Sequence, residues 1–179
     1  MASTDTSAPP QGSPFWRFSL RFYRQDGVAD ACILLQEEAG VDVNLLLFLL
    51  WHARRKRTLS ASEIAEVERR IAPWREMTVI PLRTMRRALK SPPTLVDGAT
   101  AELFRTRIKA IELEAERLQQ EAMHELAGAS TMGTAAPSLE AAARANIEAY
   151  AATCGRAFPS PATEALLAAL TRLECNPEE

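Results

Sequence analysis

Seven consecutive apolar residues, Leu45 to Trp51, leave no side of their segment free for water. A helix carrying such a run has no polar face, so it must lie inside a domain with other elements wrapped around it. A short buried strand is the alternative. Leucine in place of β-branched residues, and continuation into His52-Ala53-Arg54, favour the helix. Asp42 stands where it can cap that helix. The rest of the chain must therefore supply the surrounding layers.

Several flanking segments carry helix signals. Ser13-Pro14 pairs a capping hydroxyl with a proline in the first turn. The helix after it sets Phe15, Trp16, Phe18, Leu20, Phe22 and Tyr23 against a stripe of Arg17, Arg21 and Arg24. Val28 to Ala39 forms a second helix, closed by Gly40. Ser60-Ala61-Ser62-Glu63 is a capping box that opens a helix to about Ala72. Pro73 opens the next, with Leu82, Met85 and Leu89 turned inward and Pro81 expected to kink or interrupt it. Ala101 to Ala127 is the longest helix. Its Phe104, Ile108, Ile111, Ala115, Leu118 and Ala122 alternate at four and three, as in a coiled-coil seam.

The expected architecture is all-α, an irregular bundle of five to six main helices with an Ala-rich helical C-terminal extension. Residues 1–12 read as a disordered tail and 13–127 as the bundle domain. Residues 128–137 form a Gly/Pro-punctuated linker, and 138–179 a loosely attached segment. The two helices expected there, Leu139 to Thr153 and Pro161 to Leu173, are rich in alanine, which favours helix but buries little area; they either dock or fray. No internal repeat and no convincing strand is present.

Phe15-Trp16-Arg17-Phe18-Ser19-Leu20-Arg21-Phe22-Tyr23, Gly27 to Cys32, Val41 to Leu47, Trp74-Arg75 and Pro81-Leu82-Arg83, in that order, resemble a proteobacterial family of small conserved hypothetical proteins of unknown function. The resemblance covers roughly Pro14 to Leu126. It implies a bacterial, cytoplasmic, helical protein and no assigned activity.

Charge adds a second constraint. The net charge of −2 argues against general nucleic-acid or membrane-surface binding by the whole molecule. Yet Trp51 to Lys90 holds eleven Lys/Arg against four glutamates, a surplus of seven, whereas the chain after Gly98 holds seven Lys/Arg against twelve acids. Three irregularly spaced cysteines, Cys32, Cys154 and Cys175, argue against a disulfide framework and for a reducing, cytoplasmic setting. The first eleven residues lack the basic start and apolar run of a secretory signal. The longest apolar run falls far short of the roughly 20 residues of a membrane span.

No catalytic, metal or cofactor site is assigned. Glu121 and His124, three apart, are half of a di-iron motif, and His52 has no matching carboxylate, so a solvent-facing pair is the plainer reading. Cys32 with His52 is a conceivable nucleophile pair, but Cys32 sits among apolar neighbours and reads as core. Asp42 and Asn44 open the most apolar helix; they either hold a ligand or a basic side chain, or only cap and satisfy a loop. Arg83, Arg86, Arg87 and Lys90 share one helix face, and arginine forks suit phosphates and carboxylates. The alternative is a solvated face paired to Glu37, Glu38, Glu63, Glu66 and Glu68. Arg83, Arg86, Arg87, Lys90, Arg17, Arg21, Asp42 and Asn44 are the candidate binding residues. The leading expectation is a non-enzymatic interaction or regulatory module, with a protein partner or self-association through the long helix. Nucleic-acid binding through Arg54 to Lys90 and a small anionic ligand or substrate in an interhelical pocket are the alternatives.

Overall fold

The all-apolar run forms helix α3 (Val43–Arg54), and every residue from Asn44 to Ala53 is buried. The computed structural model describes residues 12–129 and 131–175, so residues 1–11 of the expected tail lie outside them. Around α3 stand α1 (Pro14–Tyr23), α2 (Val28–Ala39), α4 (Ala61–Trp74), α6 (Gly98–Ala129), α7 (Leu139–Cys154) and α8 (Ser160–Cys175); α5 (Ile80–Ala88) lies farther out. The protein is an all-α helical bundle. Among the described residues, no helix is long and apolar enough to cross a membrane.

Local chemistry accounts for the helix ends. Ser13 Oγ accepts the backbone N–H of Trp16 ahead of Pro14. Gly40 closes α2 in the left-handed region at φ 68°, its N–H returning to the carbonyls of Gln36 and Leu35. The Ser60–Glu63 capping box is complete in both directions.

The Ala-rich helices dock. Ala142, Ala143, Ile147 and Tyr150 of α7 and Leu166, Leu167, Leu170 and Leu173 of α8 join the same hydrophobic core as Phe15, Phe22, Leu35 and α3. Alanine buries little area, but it lets helices approach closely, and α7 lies along α3. Asn146 secures that approach. Its amide donates to the carbonyls of Leu49 and Arg57, at 3.0 and 3.1 Å, and its oxygen accepts the Leu59 N–H at 2.8 Å.

The segment expected as a linker is pinned as well. Strands β1 (Arg57–Thr58) and β2 (Thr134–Ala135) pair antiparallel, two residues each, a short exception to the strand-free expectation. Gly133 precedes β2 at φ 70°, and a Cβ there would sit 2.7 Å from the Thr58 carbonyl oxygen. Glycine is thus required by both conformation and space.

Pro73 does not open a helix as expected, whereas the interruption expected at Pro81 takes the form of a wider turn just before it. Helix α4 runs through Pro73 to Trp74, and α5 begins at Ile80 with Pro81 in its first turn. Between them Arg75–Val79 forms a π-helical turn, where the Ile80 N–H reaches the Arg75 carbonyl. Pro81 thus sits in the first turn of α5, where its missing donor costs little, and the helical path continues through the wider turn. The Trp74 indole N–H fixes the bend to the Ala115 carbonyl of α6 at 3.0 Å.

Helix α5 also departs from expectation in its packing. None of its residues is buried, and Met85 is 46 % exposed. A nine-residue helix lying on one neighbour lacks the second layer that would cover Leu82, Met85 and Leu89.

Candidate functional site

A groove of about 790 Å³ runs between α1 and α2 on one side and α5 and α6 on the other, with the start of α3 as its floor. Trp16, Leu20, Tyr23, Ile33 and Leu47 make one wall largely apolar. Arg83, Arg86, Arg87 and Lys90 come down from α5 on the opposite wall, and Lys109, Glu112, Leu113, Glu116 and Gln120 come from α6.

The expected solvated basic face is only partly solvated. Arg83 donates from Nε to Glu112 at 3.2 Å and from Nη2 to Glu116 at 2.7 Å. Arg86 forks onto both oxygens of Glu112, with Nη2 to Oε1 at 3.1 Å. Their side chains keep only 20 % and 22 % of their exposure. Arg87 reaches Glu37 of α2 at 3.7 Å, one of the partners expected from sequence. Arg24, Lys90 and Lys109 have no ion pair among the described residues and leave the groove positive.

The two carboxylates, one turn apart on α6, are driven in opposite directions. Burial raises the pKa of Glu112, but the bonds from Arg86 and Arg83 outweigh it and leave this carboxyl below its ordinary value. Burial dominates at Glu116, only partly opposed by Arg83, and its pKa is raised. Tyr23, across the groove, is likewise raised, chiefly by burial. Glu112 is thus a fixed anion, and Glu116 the more readily protonated of the pair.

Beneath these charges the floor is polar. Gln120 Nε2 donates to Asn44 Oδ1 at 2.8 Å. Gln120 Oε1 and Ser19 Oγ are buried and without a hydrogen-bond partner among the described residues. Buried orphans of this kind each cost roughly 1–3 kcal/mol, and most such groups in folded proteins find a partner.

Of the candidate residues, Arg83, Arg86, Arg87, Lys90 and Asn44 converge here. Arg17 and Arg21 do not line the groove; Arg17 donates to the Gly12 carbonyl at 2.8 Å. Asp42 lies behind the floor. Its Oδ1 caps α3 through the N–H groups of Asn44 and Leu45, at 2.8 and 3.2 Å. Its Oδ2 accepts from Arg75 at 3.0 Å and from Gln119 at 2.9 Å, so of its two expected uses it holds a basic side chain from another element. Arg75 also forks onto Glu68, at 2.6 and 2.9 Å. The Asp42 N–H donates to the Tyr150 hydroxyl at 3.0 Å, linking α7 to the same knot.

The other candidate chemistries are occupied by packing. Glu121 accepts the Ser13 N–H at 2.8 Å, and the His124 ring leans on Trp51 at 5.5 Å. Burial pushes the Cys32 thiol up to about 12, too high for a nucleophile at neutral pH. His52 packs edge-on against Phe48 and Trp51, and neither ring nitrogen has a hydrogen-bond partner among the described residues. No group of three or more potential metal ligands occurs among the described residues.

Sequence reasoning missed Ser19, Tyr23, Glu112, Glu116 and Gln120. The signal that could have found them is polar residues at 112, 116 and 119–120 along the inward side of an otherwise apolar-seamed helix.

No curated protein and no solved structure matches the chain significantly. One family model does, described as a protein of unknown function (DUF2390), and it covers residues 14–123. That span takes in α1 through most of α6, and with them the residues lining the groove.

Proposed function

We propose, from the premise that the chain belongs to the family of proteins of unknown function DUF2390, that it is a binding module whose groove takes a small molecule with an anionic group and a hydrogen-bond donor. One observation carries this reading. Two buried polar atoms, Ser19 Oγ and Gln120 Oε1, lie under a groove lined by the cations Arg24, Lys90 and Lys109, and none of the five has a hydrogen-bond or ion-pair partner among the described residues. The volume suits a small ligand, and Trp16 and Tyr23 offer a flat apolar surface for its body. The anion would meet Lys90 and Lys109, and a donor group would relieve the carbonyl of Gln120. Binding is favoured over turnover because Glu112 and Glu116 are both engaged by Arg83, and Cys32 is kept protonated.

The nucleic-acid reading draws less support. Its basic stretch is largely committed within the chain: Arg54 to Glu174, Arg69 and Arg70 to Glu66, and Arg75 to Asp42 and Glu68. Phosphates would have to displace those partners. For setting, a bacterial cytoplasm is favoured by the resemblance over residues 14–126 and by the free thiols of Cys32 and Cys154.

Calorimetric titration with matched probes tests the reading: adenosine 5′-monophosphate, inorganic phosphate and adenosine. The phosphate-bearing nucleotide should bind with Kd below about 1 mM, and Lys90→Glu with Lys109→Glu should weaken it at least about ten-fold. Equal binding of adenosine, or binding that survives the double substitution, would count against the groove. So would no heat from any of the three.

A further inference from the structure

Ten of the twelve exposed large hydrophobic side chains among the described residues fall between Met77 and Leu118, in the π-turn, α5, the loop after it and α6. The concentration follows from how this part of the chain packs. The π-turn and α6 hold a small buried set of their own, Val79, Ala101, Ile108 and Ala115, outside the main core, and α5 lies over α6 without a buried residue. The heptad pattern read from the sequence is therefore split. Ile108 and Ala115 face inward, while Phe104, Ile111 and Leu118, seven residues apart, remain 49 %, 53 % and 43 % exposed. Residues turn by about 100° each along a helix, so these three form one stripe, on the side of α6 away from groove-lining Lys109, Glu112 and Glu116. A monomer has no evident use for a regular apolar stripe there.

We propose that this flank pairs with the same flank of a second copy of the chain, α6 antiparallel to α6, about a two-fold axis at Ile111. The pattern of charge selects this occupant. Arg107, with no ion pair among the described residues, precedes Ile111, and Glu114, forked by Arg117 of its own helix yet about half exposed, follows it. An antiparallel pairing centred on Ile111 sets Phe104 against Leu118 of the second copy and Ile111 against itself. It brings Arg107 within one residue of Glu114 of the second copy, twice over by symmetry. A parallel pairing would set arginine beside arginine and glutamate beside glutamate, which repel. Leu82, Met85 and Leu89, opposite the groove-facing arginines on α5, extend the strip, so two hairpins would close as a four-helix arrangement.

Sedimentation of the full chain between about 1 and 200 µM tests this. A monomer–dimer equilibrium is expected in that range. Ile111→Glu should weaken dimerisation at least ten-fold, and because the side chain is half exposed the monomer should retain its helical circular dichroism. Arg107→Glu and Glu114→Arg should each weaken the dimer, and the two together should restore it to within about three-fold of the parent. Lys90→Glu, in the groove, should leave association unchanged. A monomer at the highest concentration, a dimer indifferent to Ile111→Glu, or a charge-swapped double variant no better than its parents would each overturn the proposal.

Discussion

Arg75 and Asp42, thirty-three residues apart, meet at 3.0 Å, so the cap of the most apolar helix is held by the first residue of the π-turn. The same guanidinium grips Glu68, and both interactions raise its pKa, with the Glu68 bond the larger cause. This contact ties the floor of the groove to the segment that aims α5.

Replacing Arg75 with methionine should therefore do more than remove a surface ion pair. Asp42 would keep its backbone donors and Gln119 but lose its counter-charge while buried. Breaking such a pair costs about 3 kcal/mol. Urea denaturation of Arg75→Met checks this, and a loss below about 1 kcal/mol would show the knot to be dispensable. Asp42→Asn in the same background should recover part of the loss.

His52 predicts a pH dependence. Burial first, then the charges of Arg55 and Arg57, lower its pKa from 6.5 to about 4. A lowered pKa means the unfolded chain binds the proton more readily, so stability is full above pH 6.5 and is lost as pH falls toward 4. The contribution amounts to about 3 kcal/mol at the acid end. His52→Leu should flatten that part of the stability curve relative to the parent. An unchanged slope between pH 6.5 and 4 would contradict it.

The paired carboxylates of α6 predict unequal substitutions. Glu112→Gln strips both Arg83 and Arg86 of their shared anion and should cost about 2–3 kcal/mol at neutral pH. Glu116 is held above its ordinary pKa, so its ionisation opposes folding as pH rises through that value. Glu116→Gln removes that penalty along with one arginine bond, and the net change should stay within about 1 kcal/mol. Equal losses in the two variants would mean that the groove does not distinguish them.

Which features were legible from residues alone follows from the range of the forces involved. Leu45–Trp51 required a central helix because no orientation could expose it safely, and local caps at Ser13, Gly40 and Ser60 act within four residues. The charge imbalance between the two parts of the chain was visible, but not that Arg83 and Arg86 would close on Glu112, 29 and 26 residues away. That pairing depends on how α5 lies on α6. The docking of α7 rests on Asn146 reaching three backbone groups of the α3–β1 region, a match that alanine-rich composition conceals. Ser19, surrounded in sequence by aromatic and basic residues, gave no sign that its hydroxyl would lie on a groove floor.

The π-turn at Arg75–Val79 has a consequence for how this family can vary. One additional residue is accommodated there without a loop, so the turn acts as a phase setting between α4 and everything beyond it. Deleting a single residue such as Met77 would return the turn to ordinary α-helix with α5 near its present phase, whereas one more residue, with no second wider turn to absorb it, would swing α5 by about 100° about its axis. Arg83 and Arg86 would then point away from Glu112, and the positive wall would leave the groove. A one-codon insertion would thus disarm the groove while the helical core stays built.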